Sequence, residues 1–286
     1  MKIFEYLAKI DRRIIYLILA IVIILPFVFP KPQKVRVMEP AQKLFYAVDS
    51  IPEDKILMID FDYDPQTQPE NEPMAIALLR HAFIKRIRVA ALSLYVQPLG
   101  LAKKALDQVS EEFNSRAQTN ADSIIYGRDY VLLGWQPPPI VPLLEMGISI
   151  PGVYTTDYYG YRTDSLPVME GIKNFNNVGI LVSVSGGSAP LWWVAYSQTR
   201  YGVAVGAGLT AVSASDYFIY FQTGQFSGLM VGMKGAAEYE EMVASELKVS
   251  GKRKASEALG SLTAAHLTIM IFIIIGNLGY FMRRKK

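Results

Sequence analysis

The sequence contains no cysteine and only two histidines, His81 and His266. Without cysteine the chain forms no disulfide, offers no thiolate nucleophile and holds no cysteine-ligated metal. The second histidine falls in an apolar stretch near the C-terminus, so a metal site built on two histidines of the central region is excluded. Charged residues are scarce at 19%, and 29 basic residues nearly balance 26 acidic ones, so we expect no nucleic-acid partner.

Apolar residues are concentrated in two runs, one near each terminus. Residues 14–30 carry no charge over 17 positions and follow the basic residues Lys9, Arg12 and Arg13. No small-x-small cleavage pattern comes after this run, which favours an uncleaved signal anchor over a removed signal peptide. Residues 262–282 form the second run and precede four basic residues. Because runs of this length suit transmembrane helices, we expect both ends to cross a lipid bilayer.

The basic residues that flank the two runs predict which side of the membrane the central region faces. The outer flanks carry eight basic residues and the inner flanks carry six. Cytoplasmic flanks usually hold the excess of Lys and Arg, so we expect a two-pass protein of the cell membrane with cytoplasmic termini and an extracytoplasmic domain. The segments are a basic flank (1–13), a transmembrane helix (14–30), a connector (31–52), the α/β domain (53–250), a basic connector (251–261), a transmembrane helix (262–282) and a basic tail (283–286).

The central region alternates short apolar runs with longer helical patterns. The apolar runs predict strands, and the segments between them predict helices. Such alternation is typical of an α/β fold with a mostly parallel sheet and helices on both faces, Rossmann-like or flavodoxin-like. The expected strands are residues 55–60, 89–96, 130–134, 178–184 and 203–205, and the main expected helices are residues 70–87, 99–116, 190–200, 210–221 and 226–248.

Three aspartates alternate at the end of the first predicted strand: Asp60, Asp62 and Asp64. Carboxylate oxygens in this spacing suit a hard cation such as Mg²⁺. The stretch Ile-Asp-Phe-Asp-Tyr-Asp at 59–64 resembles the nucleophile motif of haloacid-dehalogenase-like phosphohydrolases. That resemblance implies Asp60 as nucleophile and Asp62 as acid/base. The alternative is that the three carboxylates solvate the strand end and cap the following turn.

A glycine-containing turn, Ser185-Gly186-Gly187-Ser188, joins the strand at 178–184 to a predicted helix. Free backbone N–H groups at such a turn attract anions. These residues, together with Asp62 and Asp64, form the candidate ligand-binding set, and a plain tight turn is the alternative. A serine nucleophile here would need a base. We place His81 on the surface of the first predicted helix, which leaves it without that role.

Gly224, Gly228 and Gly232 recur at every fourth position. On a helix they would form a stripe that admits a neighbouring backbone. The neighbour would be the domain's own sheet, a second copy of the chain or another membrane protein, so these glycines are a candidate interface. A homo-oligomer or a complex with other membrane proteins is therefore expected.

Several stretches carry a second resemblance: residues 60–65, 201–214 (Tyr-Gly-Val-Ala-Val-Gly-Ala-Gly-Leu-Thr-Ala-Val-Ser-Ala), 220–225 and 232–240. They are similar to a group of uncharacterised prokaryotic proteins with two transmembrane helices and a Rossmann-like domain. The resemblance implies that architecture and carries no activity or site residues.

Three hypotheses about function follow from these patterns. The leading one is a non-catalytic membrane-anchored α/β domain that binds a ligand or partner, assembles with other membrane proteins and requires no cofactor. The second is a Mg²⁺-dependent enzyme of phosphohydrolase type that acts on an anionic substrate at the strand ends. The third is a purely structural subunit of a membrane complex.

Overall fold

The computed structural model describes residues 11–29, 35–248 and 253–284. The predictions that rest on Lys2, Lys9, Lys31, Lys34, Lys252, Lys285 and Lys286 therefore lie outside the described residues. The chain divides into two compact units, one formed by the two terminal segments and the other by Val35–Lys252.

The described residues form six strands and eleven α-helices, together with three short 3-10 helices and one π-helical turn. The strands are β1 (Ile56–Asp62), β2 (Val89–Leu92), β3 (Tyr130–Gly134), β4 (Val178–Ser185), β5 (Val205–Leu209) and β6 (Leu229–Val231). The helices are α1 (Arg12–Val28), α2 (Glu39–Asp49), α3 (Gln68–Ile84), α4 (Leu99–Asn114), α5 (Ile140–Glu145), α6 (Ile150–Val153), α7 (Ala189–Trp192), α8 (Thr199–Tyr201), α9 (Ala214–Gln222), α10 (Gly232–Glu246) and α11 (Lys254–Arg284). A π-helical turn, Trp193–Gln198, connects α7 to α8.

The six strands form one sheet in which every neighbouring pair is parallel. The order is β3-β2-β1-β4-β5-β6, which is the strand order of the Rossmann fold and not that of flavodoxin. Strands β2 and β3 lie on one side of β1, and strands β4, β5 and β6 lie on the other. The topological switch point therefore lies between β1 and β4. The predicted parallel α/β fold is confirmed.

Both faces of the sheet are covered. On one face, Met58 of β1 belongs to a core that also contains Tyr154, Trp193 and Tyr217. On the other face, β5 carries glycines instead of side chains: a Cβ at Gly206 would meet Leu44 of α2, and one at Gly208 would meet Met74 of α3. The sheet is thus buried on both sides, which explains its near-continuous apolar runs.

The last predicted helix, residues 226–248, is wrong at its start, because β6 occupies Leu229–Val231 and α10 begins at Gly232. The stripe of Gly224, Gly228 and Gly232 expected on that helix is therefore wrong as well. Gly224 lies in an exposed turn after α9 with φ +79°, and Gly228 lies before β6, where a Cβ would be 2.2 Å from the Leu44 backbone nitrogen. The three glycines therefore share no helix face, and Gly228 serves the close approach of α2 to the edge of the sheet.

The terminal unit consists of α1 and α11. The Asp11 side chain accepts a hydrogen bond from the Arg13 backbone N–H and caps α1. The two helices pack together, and Ser261 Oγ donates to the Ile23 carbonyl at 2.6 Å. Within the described residues one segment, Lys254–Leu278, is long and apolar enough to cross a membrane by length and composition, whereas α1 has 17 residues.

Candidate functional site

A cleft of about 490 Å³ opens at the carboxyl end of the sheet, beside the switch point. It is lined by residues 62–64, Thr67, Tyr95, 97–98 and 186–189. The aspartate loop after β1 and the glycine turn after β4 therefore meet at one site, as parallel strand ends should. Of the candidate residues from the sequence, Asp62, Asp64, Gly186, Gly187 and Ser188 line the cleft, whereas Asp60 and Ser185 are buried next to it.

The register of β1 against β4 pairs the aspartates with serines. Asp60 lies opposite Ser183, and Asp62 lies opposite Ser185. Ser183 Oγ donates to Asp60 Oδ2 at 2.6 Å, and Ser185 Oγ donates to Asp62 Oδ2 at 2.8 Å. Because side chains alternate across a strand, Asp60 and Asp62 project from the same face of β1.

Asp60 is completely buried and has no cationic partner among the described residues. Its Oδ2 also accepts a 2.7 Å hydrogen bond from Trp193 Nε1, while its Oδ1 makes no hydrogen bond of standard geometry within the described chain. Burial, reinforced by the charge of Asp62, raises the Asp60 pKa to about 8, although hydrogen bonds from Ser183, Trp193 and the Leu94 backbone N–H oppose the shift. Asp60 is therefore mostly a neutral acid at pH 7.

Asp62 is the member of the Asp60–Asp62 pair that lines the cleft. Burial raises its pKa to about 6; the hydrogen bond from Ser185 opposes this shift and the charge of Asp64 adds to it. The Gly187 N–H donates to Ser185 Oγ at 2.8 Å, which fixes the serine that holds Asp62. Asp62 is thus ionised at neutral pH and positioned by the glycine turn.

Asp64 and Gly186 have local structural roles. Asp64 Oδ1 accepts from the backbone N–H groups of Gln66 and Thr67 and from Thr67 Oγ1, so this carboxylate caps the turn before α3. A Cβ at Gly186 would lie 2.6 Å from the Thr67 side chain. Gly186 therefore makes room for Thr67 and not for a ligand. A Cβ at Gly187 would be 3.8 Å from Asp62 Oδ2, an ordinary van der Waals distance.

Aromatic side chains complete the surroundings of the cleft. Tyr95 lines the cleft, and burial, followed by the charges of Asp62 and Asp60, raises its pKa. The Tyr95 and Trp192 rings are 6.2 Å apart. Tyr217 Oη donates to the Gly187 carbonyl at 2.6 Å, and burial with the nearby Asp62 raises its pKa to about 12.

Sequence reasoning missed Ser183, Trp193, Tyr95 and Tyr217. A signal for Ser183 is present, because Ser-x-Ser at the end of β4 matches the Asp-x-Asp at the end of β1. No comparable signal marks Trp193. Trp193 begins the π-helical turn, and its indole donates to Asp60. The spacing of apolar residues in the sequence does not predict such a turn.

The surface position predicted for His81 is wrong. The ring is completely buried and stacks on Phe45, with centroids 4.4 Å apart. Its nitrogens lie 2.8 Å from Tyr239 Oη and 3.2 Å from Asp49 Oδ1. Burial lowers its pKa to about 4. His81 is part of the core between α2, α3 and α10, and its ring nitrogens are occupied there rather than at Ser185.

The described residues contain no group of three or more His, Asp or Glu side chains arranged to hold a metal ion. Asp60 is shielded from the cleft, and Asp64 Oδ1 already accepts three hydrogen bonds. Of the three aspartates expected to share a cation, Asp62 alone combines a cleft-facing carboxylate with few internal partners.

The chain matches no protein-family model, no curated protein and no solved structure. The chemistry of the cleft is therefore inferred from its own residues.

Proposed function

We propose that this chain is a membrane-held α/β domain that binds a small ligand in the cleft between β1 and β4 without transforming it, and that assembles with other membrane proteins. The observation that carries the proposal is the cleft itself. Open parallel sheets bind ligands beyond their carboxyl ends at the switch point, and a volume of about 490 Å³ falls in the ordinary range for such sites.

Binding without catalysis is favoured by the state of the acidic groups. In the phosphohydrolase alternative, Asp60 would attack the substrate. A nucleophile must be ionised and reach the reacting atom, but Asp60 is buried and its pKa is about 8. An anionic substrate would also meet Asp62 and Asp64 with no basic side chain among the described lining residues.

The terminal helices support attachment to a membrane. The segment Lys254–Leu278 is long and apolar enough to span, and α1 packs against it with exposed apolar side chains such as Leu17 and Ile21. We infer that α1 inserts beside it, giving two passes and, from the flanking charges, cytoplasmic termini. Protease added to intact cells tests the orientation. Cleavage of the domain is expected before lysis, and cleavage only after lysis would contradict this topology.

Assembly is tested by native mass spectrometry of the detergent-extracted chain. A mass above that of one copy, or a co-purified membrane protein, is expected. A pure monomer would contradict this part of the proposal and leave ligand binding unaffected.

Ligand binding is tested by thermal unfolding of the full-length protein in detergent with four separate probes: putrescine, glucose, sodium phosphate and magnesium chloride. Gly187→Ala adds a methyl group beside Asp62 Oδ2 without a clash and narrows the cleft. Gly100→Ala is the control, because a Cβ there meets nothing within 4 Å. At least one probe should raise the melting temperature of the wild type and of Gly100→Ala. The same probe should raise the melting temperature of Gly187→Ala by less. No shift with any probe, or equal shifts in all three proteins, would contradict the proposed site.

A further inference from the structure

We propose that the cleft at the switch point selects a small organic cation, with a protonated amine placed against Asp62 and within reach of Tyr95. This inference rests on the proposed ligand-binding function and names the class of ligand. Three features carry it: a cleft-facing carboxylate, Asp62, without a cationic partner among the described residues, a lining without basic side chains, and aromatic surface at the same place.

Asp62 differs from many part-buried carboxylates of this domain. Several of these have a Lys or Arg within 4 Å, namely Asp49 with Lys85, Glu72 with Lys104, Glu112 with Arg80, Asp129 with Arg128 and Glu238 with Lys234. Glu70 has no such ion pair within the described residues and accepts from the Ala211 N–H. Asp157 has no such partner but accepts three hydrogen bonds, from the Tyr126 hydroxyl and two backbone N–H groups. Asp62 has no cationic partner and accepts a single side-chain hydrogen bond, from Ser185, within the described residues.

Asp60, the second carboxyl group on this face of β1, is completely buried and shielded from the cleft. It accepts hydrogen bonds from Ser183 and Trp193, and the Leu94 backbone N–H also faces its carboxyl group. The charge that a ligand meets in the cleft is therefore that of Asp62, which has no cationic partner among the described residues.

The details favour an organic cation over a metal ion. Mg²⁺ keeps several waters and is usually held by one or two carboxylates. The described residues contain no group of three acidic or histidine side chains that could hold a metal ion, and Asp64 Oδ1 and Asp62 Oδ2 already accept hydrogen bonds from protein groups. An ammonium group needs only a few acceptors, and its alkyl groups can contact an aromatic ring such as that of Tyr95. The amine would donate to Asp62 Oδ1, which has no hydrogen-bond partner among the described residues.

The test is isothermal titration of putrescine into the full-length protein in detergent. Asp62→Asn keeps the shape of the side chain and removes its charge. Asp107→Asn makes the same charge change on α4, outside the cleft, and is the matched control. Loss of a charge-assisted hydrogen bond should weaken putrescine binding by about tenfold or more in Asp62→Asn, and Asp107→Asn should bind like the wild type. Circular dichroism confirms that each variant is folded.

Four other outcomes of these titrations would overturn either the organic-cation inference or the proposed function. Equal weakening by both variants would show a general effect of net charge and overturn the cation site. Tighter binding of magnesium chloride than of putrescine, lost in Asp62→Asn, would overturn the organic class in favour of a metal. Binding of glucose or phosphate that Gly187→Ala abolishes, with no binding of putrescine, would overturn the cation inference while the proposed function stands. If no probe responds to Gly187→Ala, the proposed function itself fails.

Discussion

Replacing Asp60 by asparagine tests whether this buried group is a neutral acid in the folded protein. In Asp60→Asn the amide oxygen can accept from Ser183 and Trp193 as the carboxyl oxygen does, and the NH₂ group takes the place of the protonated oxygen. A neutral Asp60 is therefore matched closely by asparagine. An ionised Asp60 is not.

The magnitude follows from proton linkage. Asp60 has a pKa of about 8 in the folded chain and 3.8 as the reference value for the unfolded chain. The folded state therefore holds the proton more tightly. The stability that this provides is fully present below pH 3.8 and is lost as the pH rises through about 8. Between those limits the free energy of unfolding falls by roughly 1.4 kcal/mol per pH unit. From about pH 5 to about pH 7.5 the wild type should thus lose about 3 kcal/mol that Asp60→Asn does not lose.

The assay is urea unfolding of full-length protein in detergent at several pH values, followed by the fluorescence of the three tryptophans, one of which contacts Asp60 directly. The quantity of interest is the free energy of unfolding of Asp60→Asn minus that of the wild type, because groups common to both proteins cancel. This difference should rise with pH. The control Gly100→Ala, which changes no titratable group and whose Cβ meets nothing within 4 Å, should give a flat difference. A flat difference for Asp60→Asn as well would refute the assignment of a neutral, buried acid.

Three further predictions concern packing, titration and hydrogen bonding. Gly228→Ala should destabilise the chain by about 3 kcal/mol or more, because its methyl group would overlap the Leu44 backbone, while Gly100→Ala should be neutral or slightly stabilising in thermal unfolding. The pKa of His81 is about 4, below its reference value of 6.5, so the neutral ring stabilises the fold above pH 6.5, and this stabilisation is lost as the pH falls through about 4. The free energy of unfolding should therefore fall by up to about 3 kcal/mol in acid in the wild type but not in His81→Gln. Equal acid sensitivity of the two proteins would contradict this prediction. Trp193→Phe removes an indole donor from a buried acceptor and should cost about 1–3 kcal/mol in urea unfolding, with an unchanged midpoint as the opposing result.

The elements with strong local signals could be predicted from the sequence. Strands β1, β3 and β4 are continuous apolar runs, and the turn after β4 carries adjacent glycines, so the parallel sheet and two of its loops follow directly. Strand β6 has three residues, too few for a periodic pattern, so the sequence predicts one helix across β6 and α10. The expected glycine stripe follows from that error.

The site depended on contacts that local sequence does not specify. The pairs Asp60–Ser183 and Asp62–Ser185 join residues more than a hundred positions apart, and they depend on β4 lying beside β1 in one register. The position of His81 depended on α2 and α10 covering a helix that has apolar residues on every side. A histidine in such a helix is a core residue, and that pattern was available in the sequence.

The proposal of an organic cation held by Asp62 in the cleft between β1 and β4 is tested most directly by an experimental structure of the full-length protein in detergent with putrescine. Density for the amine is expected within hydrogen-bond distance of Asp62, beside Tyr95 and the turn at Gly187. A structure in which putrescine binds elsewhere while this cleft contains only solvent would contradict it.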